Sequence, residues 1–293
     1  MSHPSNGADS LHTGSSRSPE VVDRVMTQEP IDHYGANYEQ FAAQVYAQVR
    51  TEAFGQDIGQ TSWLTADEQD IFLSWLRLQP TSRLLDVACG SGGPTIRAAK
   101  ICGSTVHGID IHEAAVRTAR GQAAEANLTD TATFQQADAS QPLPFADTSF
   151  DAIICIDAIN HFPDRRAILD EWARLLAPDG RIVFTDPIVV TGALSSEEIA
   201  IRSSIGFFLF TPPAYDEDLL AAAGFEVVEK QDRTDNMARM ARSRRDARQR
   251  HASDLRRIEG DQTFDGQQRF FDVAARLAEE RRLSRFAFCA RRL

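Results

Sequence analysis

From residue 83 to residue 186, short apolar runs alternate with amphipathic stretches of helical periodicity, and this alternation restricts the possible folds more than any other feature. Continuous apolar strands that are separated by helices are typical of a parallel sheet covered by helices on both faces. The sequence therefore predicts an α/β fold. The predicted strands are 83–88, 104–110, 131–137, 150–156 and 180–186, and the predicted helices are 94–101, 113–127 and 164–176.

The turn after the first predicted strand contains Gly90, Gly92 and Gly93, and Pro94 opens the helix that follows. Glycine permits tight turns and the close approach of a ligand to the backbone, and proline is well tolerated in the first turn of a helix. The free N–H groups of that first turn favour a negatively charged part of a ligand. The spacing does not fit G-x-G-x-x-G, and an isolated glycine cluster is more often a plain tight turn than a cofactor site.

Four aspartates stand at the carboxyl ends of predicted strands, namely Asp86, Asp110, Asp138 and Asp157. Ligands of a parallel sheet bind at that edge, so the four side chains are predicted to face one crevice. An acid at the end of the second strand is placed to accept hydrogen bonds from ribose hydroxyls, which makes Asp110 the candidate for that contact.

Taken together, these segments resemble the class I S-adenosylmethionine (SAM)-dependent methyltransferases, over roughly residues 54–232 and the last strand. Residues 86–92 are similar to the D/E-x-G-x-G-x-G loop of that family, with Ala88 at the first glycine position. Residues 143–151 resemble the LPF-x-D-x-SFD run of its small-molecule branch. The resemblance implies a doubly wound, seven-stranded, Rossmann-like sheet, with S-adenosyl-L-methionine as cofactor and S-adenosyl-L-homocysteine (SAH) as product.

The resemblance also implies a set of cofactor contacts. The glycine loop would hold the methionine end, Asp110 the ribose, and Asp138 with Ala139 the adenine edge. The Gly- and amide-rich stretch 54–63 corresponds to a segment that lies over the cofactor in related enzymes, although a loop packed under a tryptophan has the same sequence pattern. The predicted cofactor-binding residues are Asp86, Ala88, Gly90, Gly92, Asp110, Ile111, Asp138, Ala139, Asp157, Gln60 and Trp63.

Residues 157–165 follow the fourth predicted strand and resemble the D-A-x-x-H run of phosphoethanolamine, sarcosine and tocopherol methyltransferases. The resemblance implies that His161 acts on the acceptor, as a base or an orienting hydrogen-bond partner, and that Asp157 helps to arrange it. A histidine of near-neutral pKa can take the proton of an amine or hydroxyl. A capping or core histidine at a strand end remains an equal alternative.

Aromatic residues on both sides of the core are candidates for the acceptor pocket. The phosphobase enzymes pair the histidine with a lid tyrosine, where this chain has Ile58, so Tyr34, Tyr38 or Tyr215 would have to replace it. Helical periodicity from 31 to 50 predicts a helix that carries the first two tyrosines, and the insertion after the fifth strand contains a phenylalanine cluster. The predicted substrate-binding residues are Tyr34, Tyr38, Asn160, His161, Phe207 and Phe210.

The predicted organisation has seven segments. These are a disordered tail (1–28), an N-terminal helical lid (29–78), the SAM-binding core (79–190), a cap insertion (191–211), a return to the core (212–232), a helical cap insertion (233–282) and the last core strand (283–293).

The helical cap insertion is rich in arginine, with ten Arg or Lys residues against six acids between Glu229 and Glu259. A solvated helix face with i,i+4 ion pairs is the first interpretation. The alternatives are that one or two arginines bind a carboxylate or phosphate of the acceptor, or that the segment forms an RNA-binding face.

Composition limits the classes of partner. The formal charge of −11 argues against general attraction to nucleic acid or anionic membranes. The four cysteines lack metal-ligand spacing, no apolar run approaches the ~18 residues of a membrane span, and the N-terminus lacks the order of a secretion signal. We therefore expect a soluble cytoplasmic protein without a metal, with a homodimer as an open alternative.

The combined prediction is a SAM-dependent methyltransferase that modifies an N, O or C nucleophile of a small molecule in an enclosed pocket. Two alternatives remain open at this point. One is an RNA or protein methyltransferase that docks through the arginine-rich segment, and the other is a SAM-binding protein without catalytic activity.

Overall fold

The computed structural model describes residues 34, 38, 39, 41 and 43–293, and the predicted tail, 1–28, lies outside them. The helices are α1 (Gln44–Phe54), α2 (Ala66–Leu76), α3 (Gly93–Cys102), α4 (Glu113–Glu125), α5 (Arg165–Leu175), α6 (Ser196–Arg202), α7 (Tyr215–Ala222), α8 (Thr234–Arg250) and α9 (Ala252–Glu279). The strands are β1 (Arg83–Val87), β2 (Thr105–Asp110), β3 (Ala132–Gln136), β4 (Phe150–Cys155), β5 (Leu176–Val190), β6 (Phe225–Asp232) and β7 (Leu283–Arg292). A 3₁₀ turn, Ile159–His161, follows β4.

The seven strands form one sheet in the order β3-β2-β1-β4-β5-β7-β6. Only β7 runs antiparallel to its neighbours, β5 and β6. The predicted doubly wound, seven-stranded α/β sheet is therefore confirmed. Strand β5 extends beyond the predicted 180–186 at both ends, because Leu176 already pairs with Phe150 of β4 and the other end continues to pair with β7 as far as Val190.

Two apolar clusters cover the two faces of the sheet. Leu84 packs on one face with Phe72 of α2 and Ile96 of α3, whereas the next residue, Leu85, packs on the other face with Trp172 of α5. This alternation follows from the geometry of a strand, in which successive side chains point to opposite faces. Burial on both faces explains why the strands are almost continuously apolar in sequence.

A third apolar cluster lies outside the sheet and joins segments that are distant in sequence. Trp63 of the loop before α2 packs there with Ile205 after α6, Met237 of α8, and Phe270 and Phe271 of α9. Helix α1 packs against α8 and α9 in a fourth cluster. The loop before α2 and the two segments inserted around β6 thus share one core beside the sheet.

The arginines of residues 233–257 are mostly engaged within the protein. Arg242 pairs with Glu279 and Arg245 with Asp272, and both pairs join α8 to α9 rather than successive turns of one helix. Arg244 and Arg248 are buried. None of the helices among the described residues is long and apolar enough to cross a bilayer.

Candidate active site

The glycine loop between β1 and α3 is shaped partly by its packing against other parts of the protein. A Cβ at Gly92 would come within 2.6 Å of the Ala119 side chain, and a Cβ at Gly93 would overlap the carbonyl oxygen of Ile58. The absence of side chains at these positions therefore lets α4 and the loop before α2 close on the turn. Ala88 has a left-handed φ of 59°, a conformation that favours glycine.

The two acids nearest this loop are fixed by hydrogen bonds. Asp86 accepts a hydrogen bond of 2.5 Å from Thr95 Oγ1, and burial raises the pKa of its carboxyl to about 7. Asp110 accepts the backbone N–H groups of Gly90 and His112, each at 2.9 Å. Desolvation raises the pKa of Asp110, and these two backbone donors oppose that rise.

A cavity of about 530 Å³ opens at the carboxyl edge of the sheet, which is a usual size for a small-molecule site. A second cavity of about 60 Å³ lies at the glycine loop and shares Thr61, Ser62, Ala88 and Ile156 with the first. The predicted residues that line the large cavity are Tyr34, Tyr38, Trp63, Ala88, Asp110, Ile111, Asp138, Ala139, Asp157, Asn160, His161 and Phe207. The small cavity is lined by the predicted residues Gln60, Asp86, Ala88 and Gly90.

Two predicted site residues line neither cavity. Gly92 faces α4, as described above, and Phe210 packs in the cluster of Ile188 and Leu277. Phe208, which the sequence did not single out from its neighbours, lines the large cavity in addition to Phe207. In a run of phenylalanines without a clear period, sequence alone does not distinguish these orientations.

His161 is held by one contact on each ring nitrogen. Its Nδ1 lies 2.9 Å from the carbonyl oxygen of Phe207, and its Nε2 lies 2.8 Å from the hydroxyl oxygen of Tyr34. A carbonyl only accepts hydrogen bonds, so Nδ1 carries the proton and the lone pair of Nε2 accepts the Tyr34 hydroxyl. Burial lowers the pKa of His161 and thereby favours the neutral ring.

Asp157 is bound to groups other than His161. Its carboxylate accepts hydrogen bonds from Arg285 Nε at 2.6 Å, Thr185 Oγ1 at 2.7 Å and the backbone N–H of Trp63 at 2.9 Å. Arg285 also binds both carboxylate oxygens of Glu68, each at 2.8 Å. Asp157 thus anchors the loop before α2 to the sheet, and the predicted role in arranging His161 stays a prediction.

The loop before α2 keeps its shape through Gln60. The side chain of Gln60 is 2% exposed, accepts the N–H of Ile58 at 2.8 Å and donates to the carbonyl of Gln56. The Trp63 ring stacks on Phe270 at a centroid distance of 6.3 Å. These contacts close the loop over the edge of the sheet.

Two arginines on the cavity wall complete the site. Arg202 of α6 and Arg244 of α8 both line the large cavity and are buried. An arginine facing the crevice was one alternative for residues 233–257, and Arg244 occupies that position. Arg202 was missed, and its place between apolar residues (Ile199, Ile201 and Ile205) is the signal in the sequence that could have indicated burial.

Comparison with known proteins agrees with this geometry. Residues 85–184 match the profile of a methyltransferase domain. The chain is 32% identical over 186 residues to 27-O-demethylrifamycin SV methyltransferase of Amycolatopsis mediterranei, a match that covers 60% of this chain and 66% of that protein. The chain spans about two fifths to two thirds of the length of such curated relatives.

Solved structures share the fold. Phosphoethanolamine N-methyltransferase 2 of Haemonchus contortus, in complex with phosphomonomethylethanolamine and SAH, has a TM-score of 0.74 at 19% identity, covering 88% of this chain and 60% of that one. The [4+2]-cyclase SpnF has a TM-score of 0.69 at 20% identity, covering 90% and 99%.

These findings define the class of the protein: residues 85–184 form a methyltransferase domain, on a seven-stranded sheet that solved methyltransferase structures share. Its curated relatives include an O-methyltransferase of Penicillium expansum and phosphoethanolamine N-methyltransferase 3 of Arabidopsis thaliana.

The residues at the small cavity fit the cofactor of this family. Ser91 Oγ is buried at that cavity and has no hydrogen-bond partner in the part of the chain that the structure describes. Asp86 places a buried carboxylate at the same cavity. An unpaired hydroxyl and a buried acid suit the carboxylate and ammonium groups of a methionine moiety.

Proposed function

We propose that this protein is an enzyme that transfers the methyl group of SAM to a nucleophilic atom of a small-molecule acceptor. The observation that carries the proposal is His161, which contacts Tyr34 and the Phe207 carbonyl on the wall of a cavity that adjoins the glycine loop. The bound cofactor supplies an electrophilic methyl group. The protein's contribution is to align the acceptor with that group and to exclude water.

In this proposal the residues of the two cavities divide the cofactor among them. Asp86 and Ser91 hold the methionine end, Asp110 accepts the ribose hydroxyls, and Asp138 with Ala139 contacts the adenine edge. Asp138 is exposed at the cavity mouth and accepts hydrogen bonds from the backbone N–H and hydroxyl of Ser140, which fix its carboxylate.

Tyr34 and His161 manage the acceptor proton in this proposal. An acceptor hydroxyl or amine that gives its proton to the Tyr34 oxygen causes the Tyr34 proton to move to Nε2 of His161, along the existing 2.8 Å hydrogen bond. The resulting imidazolium keeps its bond to the Phe207 carbonyl. Tyr34 thereby supplies the hydroxyl group that Ile58 lacks. Ile58 stands where the phosphobase enzymes have the lid tyrosine.

We further propose that residues 29–78, 191–211 and 233–282 act as the cover of the acceptor pocket. Trp63, Ile205 and Met237, one from each segment, meet in a common apolar cluster. Ion pairing of the arginines in residues 233–257 gives the nucleic-acid alternative no support, and the curated relatives act on small molecules.

The cellular setting and the assembly state are part of the same proposal. All four cysteines are free, which suits a reducing compartment such as the cytoplasm. A homodimer stays a prediction, and light scattering on the purified protein tests it.

The first experiment is calorimetric titration of the protein with SAM and SAH, followed by a screen of amines, phosphobases and phenols for SAH release. With an acceptor in hand, His161→Gln is expected to lower kcat roughly 10²–10⁴-fold, the usual contribution of general base catalysis. The SAH affinity should change by less than about twofold.

In the unaltered enzyme kcat/KM should fall as the pH drops through a value below the usual 6.5 of histidine, because only the neutral ring accepts a proton.

The matched control is His251→Gln, since His251 pairs with Glu52 and does not line the cavity. Tyr34→Phe should lower kcat in the same direction as His161→Gln. Equal losses of SAH affinity and kcat in His161→Gln would contradict the role given to His161. Absence of SAM and SAH binding by the folded protein would contradict the proposed function, and binding without turnover on every acceptor would favour the non-catalytic alternative.

A further inference from the structure

Arg202 differs from the other fully buried arginines in having no acid beside it. Arg165 binds Asp186 at 2.6 Å and Asp216 at 2.7 Å, and Arg285 binds Asp157 and Glu68. Arg202 is equally buried, at 1% exposure, yet it forms no ion pair within the described residues. Its Nε and Nη1 atoms are buried without a hydrogen-bond partner in that same part of the chain.

Aromatic rings surround the Arg202 guanidinium. Its central carbon lies 4.3 Å from the ring centroid of Phe270, 5.4 Å from that of Phe208 and 6.0 Å from that of Trp63. Ring faces attract a cation but do not replace the directed hydrogen bonds of its N–H groups. Burial lowers the pKa of Arg202 to about 10, so the group remains a cation at neutral pH.

Unpaired N–H groups on a buried cation are costly, and buried charges are normally paired. The cation borders the large cavity. A ligand in that cavity is therefore the available source of the missing acceptor atoms.

Asn160 adds a second incomplete group on the same wall. Its side chain is 1% exposed, and neither its Nδ2 nor its Oδ1 has a partner among the residues described. Asn160 precedes His161, and the Phe208 ring lies 4.9 Å from the His161 ring as well as next to Arg202. The unpaired polar atoms of Arg202 and Asn160 thus both belong to residues that line the large cavity, as His161 does.

The cofactor does not account for these donors. Its own anionic group, the methionine carboxylate, is assigned above to the small cavity of Ser91 and Gly90, which Arg202 does not line. Arg244 is the other buried cation of the large cavity, but its Nη1 donates to the Thr61 carbonyl at 2.8 Å, so it is used to hold the loop before α2.

We propose that Arg202, assisted by the Asn160 carboxamide, binds an anionic group of the methyl acceptor, a carboxylate or a phosphate monoester. The inference rests on the proposed function and specifies its substrate class. The rest of the nearby wall is apolar, with Ile205, Phe208 and Phe270 among its residues. The acceptor is accordingly a small molecule with one anionic end and an apolar body.

The test compares benzoate, phenyl phosphate and neutral benzamide as probes of the SAH-loaded protein, by calorimetry or ligand-observed NMR. At least one of the two anions should bind about tenfold or more tightly than benzamide, since charge-assisted hydrogen bonds to a buried guanidinium are strong. The anion that binds more tightly shows whether the acceptor's anionic group is a carboxylate or a phosphate monoester. Arg202→Gln should reduce the preference for the anion to about twofold or less, with the SAH affinity unchanged.

Arg257→Gln is the matched control, because it makes the same change at an exposed residue that pairs with Asp254 and lines no cavity. It should retain the preference. Equal binding of the anions and benzamide by the unaltered protein would overturn the inference, and that comparison does not depend on whether Arg202→Gln folds. Arg202→Lys, which keeps the charge, should retain part of the preference.

The outcomes also separate this inference from the proposed function. A protein that binds SAH and methylates a neutral acceptor, but shows no preference for the anions, retains the proposed function and refutes the role of Arg202. A protein that does not bind SAH contradicts the proposed function, and the comparison of probes on the unloaded protein still decides the role of Arg202.

Discussion

Ala88 occupies a position where its side chain is unfavourable. Its φ of 59° lies in the left-handed region, which costs an L-residue about 1–2 kcal/mol relative to the right-handed region. The D/E-x-G-x-G-x-G loop that residues 86–92 resemble has glycine at this position. The sequence therefore carries a local strain at the turn where β1 leads to the small cavity.

We predict that Ala88→Gly raises the free energy of unfolding by about 1 kcal/mol, because relief of the strain exceeds the greater chain entropy of glycine in the unfolded state. Urea denaturation measures the change. Ala173→Gly, within helix α5, should have the opposite sign, with a loss of about 1 kcal/mol. Destabilisation by both substitutions would show that the loop does not strain Ala88.

A second prediction concerns the charge of Asp86. Burial raises its pKa to about 7, so the carboxylate form is lost as the pH falls through that value. If this carboxylate holds the ammonium group of SAM, the affinity for SAM should decrease on the order of tenfold between about pH 7.5 and 5.5. Calorimetry across this range measures it.

Asp86→Asn should remove most of this pH dependence, whereas Asp138→Asn, at the exposed mouth, should weaken binding and leave the dependence in place. Persistence of the full dependence in Asp86→Asn would assign it to a different group.

The positions of the acidic residues of the site could be predicted from the sequence, whereas the positions of the buried arginines could not. Asp86, Asp110 and Asp157 are tied to the ends of strands, so the strand pattern alone fixes their common edge. The position of Arg202 depends on how α6 and α9 pack, which is long-range information. The same holds for the pairing of Tyr34 with His161, which joins residues that are 127 positions apart.

At the scale of elements, the buried Arg285 connects three parts of the structure. It lies on β7 and binds Glu68 of α2 and Asp157 after β4, and Asp157 in turn holds Trp63. Arg285 is 0% exposed and pairs with two acidic residues, so its role is structural. Its loss leaves two buried carboxylates without a counter-charge.

We predict that Arg285→Met lowers the free energy of unfolding by about 3–5 kcal/mol. Arg291→Met, on the same strand, should lower it by less than about 1 kcal/mol, because its partners Asp179 and Glu226 are exposed. Denaturant midpoints compare the two variants. A similar loss in both would mean that the Arg285 network adds nothing beyond a surface ion pair.

The predicted boundaries are accurate where a strand begins and ends together with its run of apolar residues. Strands β1 to β4 begin and end within one or two residues of their predicted limits. Helix α2 ends at Leu76, two residues before the end of the predicted lid segment (29–78), because Arg77 adopts a left-handed conformation. A left-handed residue other than glycine gives no clear signal in sequence.

At the scale of the whole molecule, the fold separates two tasks. The sheet edge carries the acids assigned to the cofactor, and the segments outside the sheet carry the aromatic residues and the two buried cations of the large cavity. The first set lies at the ends of strands, and the second set lies in the segments outside the sheet, which is where we place the choice of acceptor.

The hydrogen bond between Tyr34 and His161 has a consequence for the order of events during turnover. Tyr34 belongs to the N-terminal segment and His161 to the 3₁₀ turn after β4, so a displacement of Tyr34 away from that turn breaks the 2.8 Å contact. In the proposed mechanism the proton relay is therefore complete only while the Tyr34 hydroxyl lies against His161, so the acceptor can lose its proton only after Tyr34 has returned to this position.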